Sequence, residues 1–185
     1  MPPVILYGSC YGTTRQYAQA LSERTGLPCL DHRRAGTLDG CDGVVYLGGL
    51  YAGGVLGLAK TVRRLPARAA ERLIVVTVGL ADPAEEENVR NIRTALHRQL
   101  SPESFGRAQF FHLRGGIDYA RLNPVHRTMM RLLYLQVKRA PPEQWNAETR
   151  AMVETYQQKV SFVDPDTLAP VIQAVSRWKD YTGAG

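Results

Sequence analysis

The run Leu73-Ile74-Val75-Val76-Thr77-Val78, closed by Gly79, constrains the fold more than any other stretch. Apolar side chains at both odd and even positions leave a strand without a polar face, so both of its sides must be covered. Val4-Ile5-Leu6-Tyr7 and Gly43-Val44-Val45-Tyr46-Leu47-Gly48 have the same character. Helical stretches separate these runs: Thr14 to Thr25 closed by Gly26, Val55 to Leu65 at helical spacing, and a helix starting at Asp82-Pro83 and running to about Leu100. Glu85, Glu86 and Glu87 lie in that last helix's first turn, where they favour its dipole. Pro28 to Asp31 reads as a short second strand and Ala108 to Leu113 as a fifth. Buried strands alternating with amphipathic helices predict an α/β fold, a doubly wound five-stranded parallel sheet of order 2-1-3-4-5 with helices on both faces.

After the fifth strand the pattern exceeds a minimal unit. Asn123-Pro124 supplies an N-cap and an N1 proline for an extra amphipathic helix. Leu122, Val125, Met129, Leu132, Leu133 and Val137 recur at helical spacing, opposite Arg127, Arg131 and Lys138, with Met130, Tyr134 and Leu135 between. Such a stripe more often faces a core than a bilayer. Its breadth nevertheless admits peripheral contact with the inner face of a membrane, or a homodimer through this helix. Pro141-Pro142 breaks the helix, Ala147 to Gln158 is polar and helix-like, and Pro165 to Tyr181 reads as a closing helix. The expectation is one domain over residues 1–185, with 117–146 as an additional helix and linker.

The composition fits that picture. With 44% hydrophobic and 22% charged residues the chain can bury a core and lacks the signature of disorder. No stretch approaches the roughly 20 apolar residues of a membrane span, and the N-terminus lacks the pattern of a secretory signal. A cytoplasmic protein is expected. Cys10, Cys29 and Cys41 form no Cys-x-x-Cys, and His32, His97, His112 and His126 are scattered, so neither a disulfide framework nor a metal site is expected. The net charge of +6 rests almost wholly on arginine. Its planar fork suits phosphates and carboxylates, which points to an anionic small-molecule substrate, ligand or surface. No nucleic-acid partner is expected.

Ligands of a doubly wound sheet bind beyond the carboxyl ends of its strands, where the order reverses. The first loop there is Gly8-Ser9-Cys10-Tyr11-Gly12-Thr13-Thr14, whose small residues, hydroxyls and following helix N-terminus make a phosphate cradle. A capped loop without a ligand reads the same way. A P-loop would need lysine where Thr13 stands, and the dinucleotide fingerprint lacks its third glycine, although Asp31 lies at ribose-binding distance along the chain. Cys10 and Arg15 are one residue too close for a low-molecular-weight tyrosine phosphatase, and Asp82 is a weak general acid for one. A helix N-terminus can lower the pKa of Cys10, but a small loop residue is its plainer role. The second loop, Gly48-Gly49-Leu50-Tyr51-Ala52-Gly53-Gly54, suits a flat ligand against backbone with Tyr51 stacked on it; Gly79-Leu80-Ala81-Asp82 is the third.

At these residues the chain resembles the flavodoxin family, whose first loop reads Thr/Ser-x-Thr-Gly-x-Thr. Ser9, Gly12 and Thr14 match it, and Tyr11 replaces its middle threonine. The chain is also similar to the flavodoxin-like, menaquinone-dependent protoporphyrinogen oxidases in the Gly12-Thr13-Thr14-Arg15 turn, in Val44 to Tyr51, and in Gly115-Gly116-Ile117-Asp118-Tyr119 leading into the Arg127 to Val137 helix. The resemblance implies a flavodoxin-like fold and non-covalent FMN. Its phosphate would lie at Ser9, Cys10, Tyr11, Gly12, Thr13 and Thr14. Its ring would lie between Leu50, Tyr51, Ala52, Gly53 and Gly54 on one side and Gly79, Leu80 and Ala81 on the other. No side-chain acid or base is required of such a site, and none is assigned a catalytic role.

Three functions follow from this reading. The first is an FMN oxidoreductase similar to the protoporphyrinogen oxidases, passing electrons from a reduced substrate to a quinone or another acceptor. The second is an electron-transfer flavodoxin serving a redox partner, although carriers of this kind are usually acidic. A flavin-free interaction module is the third, because Tyr11 departs from the phosphate pattern. Arg114, Arg121, Arg127 and Arg131 follow the last strand and could receive a propionate-bearing tetrapyrrole, an anionic quinone partner or anionic lipid, or form a solvated face.

Overall fold

The computed structural model of the chain describes residues 2–51 and 53–180. Its first half runs β1 (Val4–Gly8), α1 (Thr13–Thr25), β2 (Cys29–Asp31), β3 (Val44–Tyr51), β4 (Gly54–Val55), α2 (Leu58–Val62), α3 (Ala67–Glu71) and β5 (Leu73–Gly79). The second runs α4 (Glu86–Gln99), α5 (Pro102–Arg107), β6 (Gln109–Arg114), β7 (Gly116–Asp118), α6 (Pro124–Val137), α7 (Ala147–Glu154), β8 (Lys159–Ser161) and α8 (Ala169–Asp180). The main sheet has the order β2-β1-β3-β5-β6, parallel throughout, with β4 folded back antiparallel on β3. Leaving out that hairpin strand, this is the expected 2-1-3-4-5.

Alternation along the central strands builds two cores. Ile5, Val45, Leu47, Ile74, Val76 and Val78 face one side, where Tyr17, Ala18 and Leu21 of α1 meet Val171, Ala174, Val175 and Trp178 of α8. Val4, Leu6, Val44, Tyr46, Leu73 and Val75 face the other, against Leu58 of α2, Ala69 of α3, and Ile92 and Leu96 of α4. Each buried aliphatic side chain stabilises the fold by about 1.5–3 kcal/mol. The apolar runs are strands because only a doubly covered sheet hides both their faces.

Several expected boundaries move. The stretch from Val55 to Leu65 is no single helix: Val55 belongs to the hairpin, and α2 and α3 follow as two short pieces. Asp82 opens a turn, its Oδ1 accepting from Ala84 N at 2.8 Å, and α4 starts only at Glu86. The polar stretch after Ala147 stops being helical at Glu154 and returns as β8, which pairs antiparallel with β7 (Gly116↔Ser161, Asp118↔Lys159). The closing helix begins with a 3-10 turn over Pro165–Leu168 before α8. Tyr181 lies outside the described residues.

The extra helix forms where expected, with Asn123 Oδ1 accepting from His126 N at 2.8 Å and Pro124 at its first position. Its orientation differs from the usual one for an apolar stripe. None of its residues is buried, and Val125, Leu132, Leu133 and Leu135 are exposed. The residues turned inward are His126, Met130, Tyr134 and Val137. Aromatic contacts decide this: Tyr134 stacks on Tyr156 with centroids 3.8 Å apart, and Trp145 Nε1 donates to Val137 O and Ala140 O at 3.2 and 3.1 Å. Among the described residues no helix is long and apolar enough to cross a membrane.

Candidate functional site

The turns after β1, β3, β5 and β6 meet at the carboxyl edge of the sheet. Gly12 caps α1 with φ of 98°, in the left-handed region that a side chain resists. Its N–H donates to Ser9 Oγ at 3.0 Å, which leaves the Ser9 hydroxyl proton to point elsewhere. The next three N–H groups, of Thr13, Thr14 and Arg15, have no partner within the helix, whose first turn carries no acidic residue. Thirteen residues of helix behind them add positive potential.

The other turns close on this one. A Cβ on Gly49 would stand 3.2 Å from Thr14 Oγ1, and one on Gly115 would stand 3.5 Å from Thr13 Oγ1. These are the places where β3 and the end of β6 approach the cradle. Gly115 N donates to Gly79 O at 2.6 Å, tying the third turn to the fourth. The second turn is less of a loop than expected, since β3 continues as strand through Tyr51 and Tyr51 pairs with Gly54. The Gln99 side-chain amide completes the hairpin, accepting from Val55 N at 2.7 Å and donating to Val55 O at 3.1 Å.

Of the expected ligand-binding residues, Ser9, Cys10, Tyr11, Gly12, Thr13 and Thr14 thus lie on one turn, with Tyr51 beside it. Leu50 reaches across to Gly79, where a Cβ would meet its Cδ1 at 2.6 Å. Leu50 also lines, with Gly53 and Gly54, a cleft of 230 Å³ against Asn88, Asn91 and Arg98 of α4. Leu80 and Ala81 pack on Ala147 and Ala151 of α7. Ala52 lies outside the described residues.

Sequence reading missed His126. From the first turn of α6 its imidazole hydrogen-bonds both tyrosines: Tyr51 Oη lies 2.6 Å from Nε2, and Tyr11 Oη bonds Nδ1. A neutral imidazole has one N–H, so one phenol donates to the ring while the other accepts from it. Burial pushes the Tyr11 phenol up from its ordinary pKa, keeping it a neutral hydroxyl. No local pattern around Asn123-Pro124-Val125-His126 distinguishes this histidine from the other three.

The structure bears on three sets of side chains that the sequence left with more than one reading. Cys10 is exposed, and desolvation pushes its thiol up against the opposing charge of Arg33, in keeping with a small loop residue. Asp31 is taken by Arg33, which donates from Nη2 at 2.7 Å and Nε at 3.0 Å and holds the carboxyl down to about 2. The arginines after β6 are not a free cluster. Arg114 lies over the Phe162 ring at 3.7 Å, donates to Leu80 O at 3.2 Å and pairs with Asp82 at 3.5 Å. Arg127 donates to Ala120 O and Leu122 O at 3.3 and 3.4 Å.

The residues present fit the phosphate end of a flavin mononucleotide: free helix N–H groups, three hydroxyls and no competing carboxylate. Among solved structures, the chain is similar to oxidised flavodoxin 1 from Bacillus cereus, at 12% identity over 62% of this chain and 84% of that one, with a TM-score of 0.42. A C101S mutant of Pseudomonas aeruginosa flavodoxin shares 20% identity over 71% and 93%, with a TM-score of 0.43. A Fusobacterium nucleatum flavodoxin bound to flavin mononucleotide shares 11% over 63% and 71%, with a TM-score of 0.40. No match was found among curated proteins. A flavodoxin domain model matches residues 4–143 of the 185, and on that match the chain belongs to the flavodoxin domain family.

Proposed function

We propose that this chain is an FMN-dependent redox protein, and more narrowly an oxidoreductase that takes electrons from a reduced anionic small molecule and passes them to a quinone or another acceptor. FMN is the cofactor, and when bound it supplies the electron-accepting and electron-donating chemistry. The observation that carries the reading is the N-terminus of α1, where three unpaired N–H groups and the hydroxyls of Ser9, Thr13 and Thr14 converge without a carboxylate. These groups hold the phosphate. Tyr51 stands where a ring would lie against the hairpin, its hydroxyl fixed by His126. The segment from Gly116 to Ser161 touches this edge, through His126 on Tyr11 and Tyr51 and through Ala147 and Ala151 on Leu80 and Ala81, which supports an enzyme with its own substrate over a carrier that leaves its flavin edge open. Protoporphyrinogen is the first substrate to try.

A carrier is the second reading. It is favoured by the engagement of Arg114 and Arg127 with backbone carbonyls, which removes them from the reception of a substrate carboxylate. Titration with FMN, followed by quenching of flavin fluorescence, tests the cofactor; no binding refutes both readings. Incubating the loaded protein with protoporphyrinogen and a quinone separates them. Substrate-dependent quinone reduction supports the enzyme. Its absence, with rapid exchange to a ferredoxin or a reductase, supports the carrier.

A further inference from the structure

We infer that α6 docks the protein onto an anionic lipid surface. The inference does not depend on the flavin. A 14-residue helix with no buried residue carries Val125 at 74%, Leu132 at 62% and Leu135 at 49% exposure, more apolar surface than a helix turned to water retains without a reason. Val125, Met129, Leu132, Leu133 and Gln136 follow one another at steps of three and four and form a single stripe. An adjoining side is held to the body through His126, Tyr134 and Val137, and the stripe faces outward, exposed at every position but the half-buried Met129.

Charge selects the occupant. From Tyr119 to Pro142 there is no acidic residue, while Arg121, Arg127, Arg131, Lys138 and Arg139 are all present and exposed. On the helical wheel Arg131 lies next to the exposed Leu135 at one edge of the apolar surface, and Arg127 and Lys138 lie further round, toward Tyr134. Apolar residues bordered by cations match the acyl boundary and headgroups of an anionic bilayer. At about 1.5 Å per residue the helix is about 21 Å long, too short for a hydrocarbon core of about 30 Å, so it lies in the interface plane. Docking there also brings the Tyr11 and Tyr51 edge of the sheet toward the bilayer, because His126 belongs to the helix's first turn.

Sedimentation of the full chain with vesicles tests the inference, using phosphatidylglycerol mixed with phosphatidylcholine against phosphatidylcholine alone. The expected result is co-sedimentation with the anionic vesicles only, weakening as salt rises. Arg131→Gln and Arg139→Gln should each lower the partition about fivefold, corresponding to about 1 kcal/mol per cation near an anionic surface. Leu132→Glu should abolish it while leaving the far-ultraviolet circular dichroism and the urea midpoint unchanged, since Leu132 supports nothing beneath it. Failure of the full chain to sediment with anionic vesicles at low salt overturns the inference. So does binding that Leu132→Glu leaves intact. A dimer that Leu132→Glu dissociates, without vesicle binding, would assign the face to a second copy and also overturn it.

Discussion

Replacing Gly8 with alanine tests how tightly the mouth of the cradle is built. The added Cβ would stand 2.3 Å from Leu56 O and 2.9 Å from Tyr46 Oη. An ordinary contact is about 3.5 Å, so the turn carrying Leu56 must retreat by about 1 Å. That carbonyl accepts a hydrogen bond of 2.5 Å from Tyr46 Oη, and Tyr46 is fully buried. Overpacking costs about 1–3 kcal/mol, and stranding the buried hydroxyl about 1–3 kcal/mol more. The sum, about 2–6 kcal/mol, is a large fraction of a net stability of about 5–15 kcal/mol. Urea unfolding reads it directly: with a slope of about 2 kcal/mol per molar, the midpoint falls by about 1–3 M. In the Tyr46→Phe background the hydroxyl is already gone, so Gly8→Ala should cost less there than in the native chain. A native-background loss below about 0.5 kcal/mol, the range of an unremarkable surface change, or equal losses in both backgrounds, refutes this account.

Gly12→Val meets nothing within 4 Å, so its cost to stability is the strain of a left-handed residue, about 1–2 kcal/mol, whereas FMN affinity should be lost; retained fluorescence quenching sinks the cradle assignment. In a double-mutant cycle on unfolding free energy, His126→Ala and Tyr51→Phe should couple by about 0.5–1.5 kcal/mol, and strict additivity would show that the 2.6 Å contact is not populated. Burial pushes His112 and His32 below the ordinary histidine pKa. The unfolded chain therefore binds more protons near pH 6, and stability falls as pH drops from about 6.5; His112→Gln should flatten that limb in urea midpoints measured from pH 7 to 5. Asp31, held near 2 by Arg33 against 3.8 when free, adds stability that is complete above pH 4 and disappears toward pH 2. Acid titration of Asp31→Asn should lack that contribution.

The order of the parallel sheet was legible because its strands have no polar face, and that property follows from residue type alone. Leu73 to Val78 could be nothing else once helices flanked it. The short pairs were not legible: Gly116–Asp118 and Lys159–Ser161 are three residues each, and their pairing joins positions 41 to 45 apart, which no local pattern encodes. The direction α6 faces was illegible for another reason. Two sides of that helix are apolar, Val125-Met129-Leu132-Leu133 and Met130-Tyr134-Val137, and a helical wheel ranks them without saying which will meet a partner. Tyr156, 22 positions beyond Tyr134, decides it. The cradle was read from Gly12, Thr13 and Thr14 because a strand-to-helix turn is local. His126 reaches Tyr11 across 115 positions and left no trace in its neighbours.

The route of the chain between β6 and α8 has a modular consequence. Tyr17 Oη donates to Arg114 O at 2.8 Å and accepts from Asp164 N at 3.0 Å, so one core side chain holds both the departure and the return. Phe162 N donates to Gly115 O at 2.9 Å, and β7 with β8 zips the two ends together. Everything from Tyr119 to Gln158 hangs outside that seam. A tight turn grafted between Asp118 and Lys159 would shorten the chain without moving either core, and the same seam could carry a foreign module of different length and purpose.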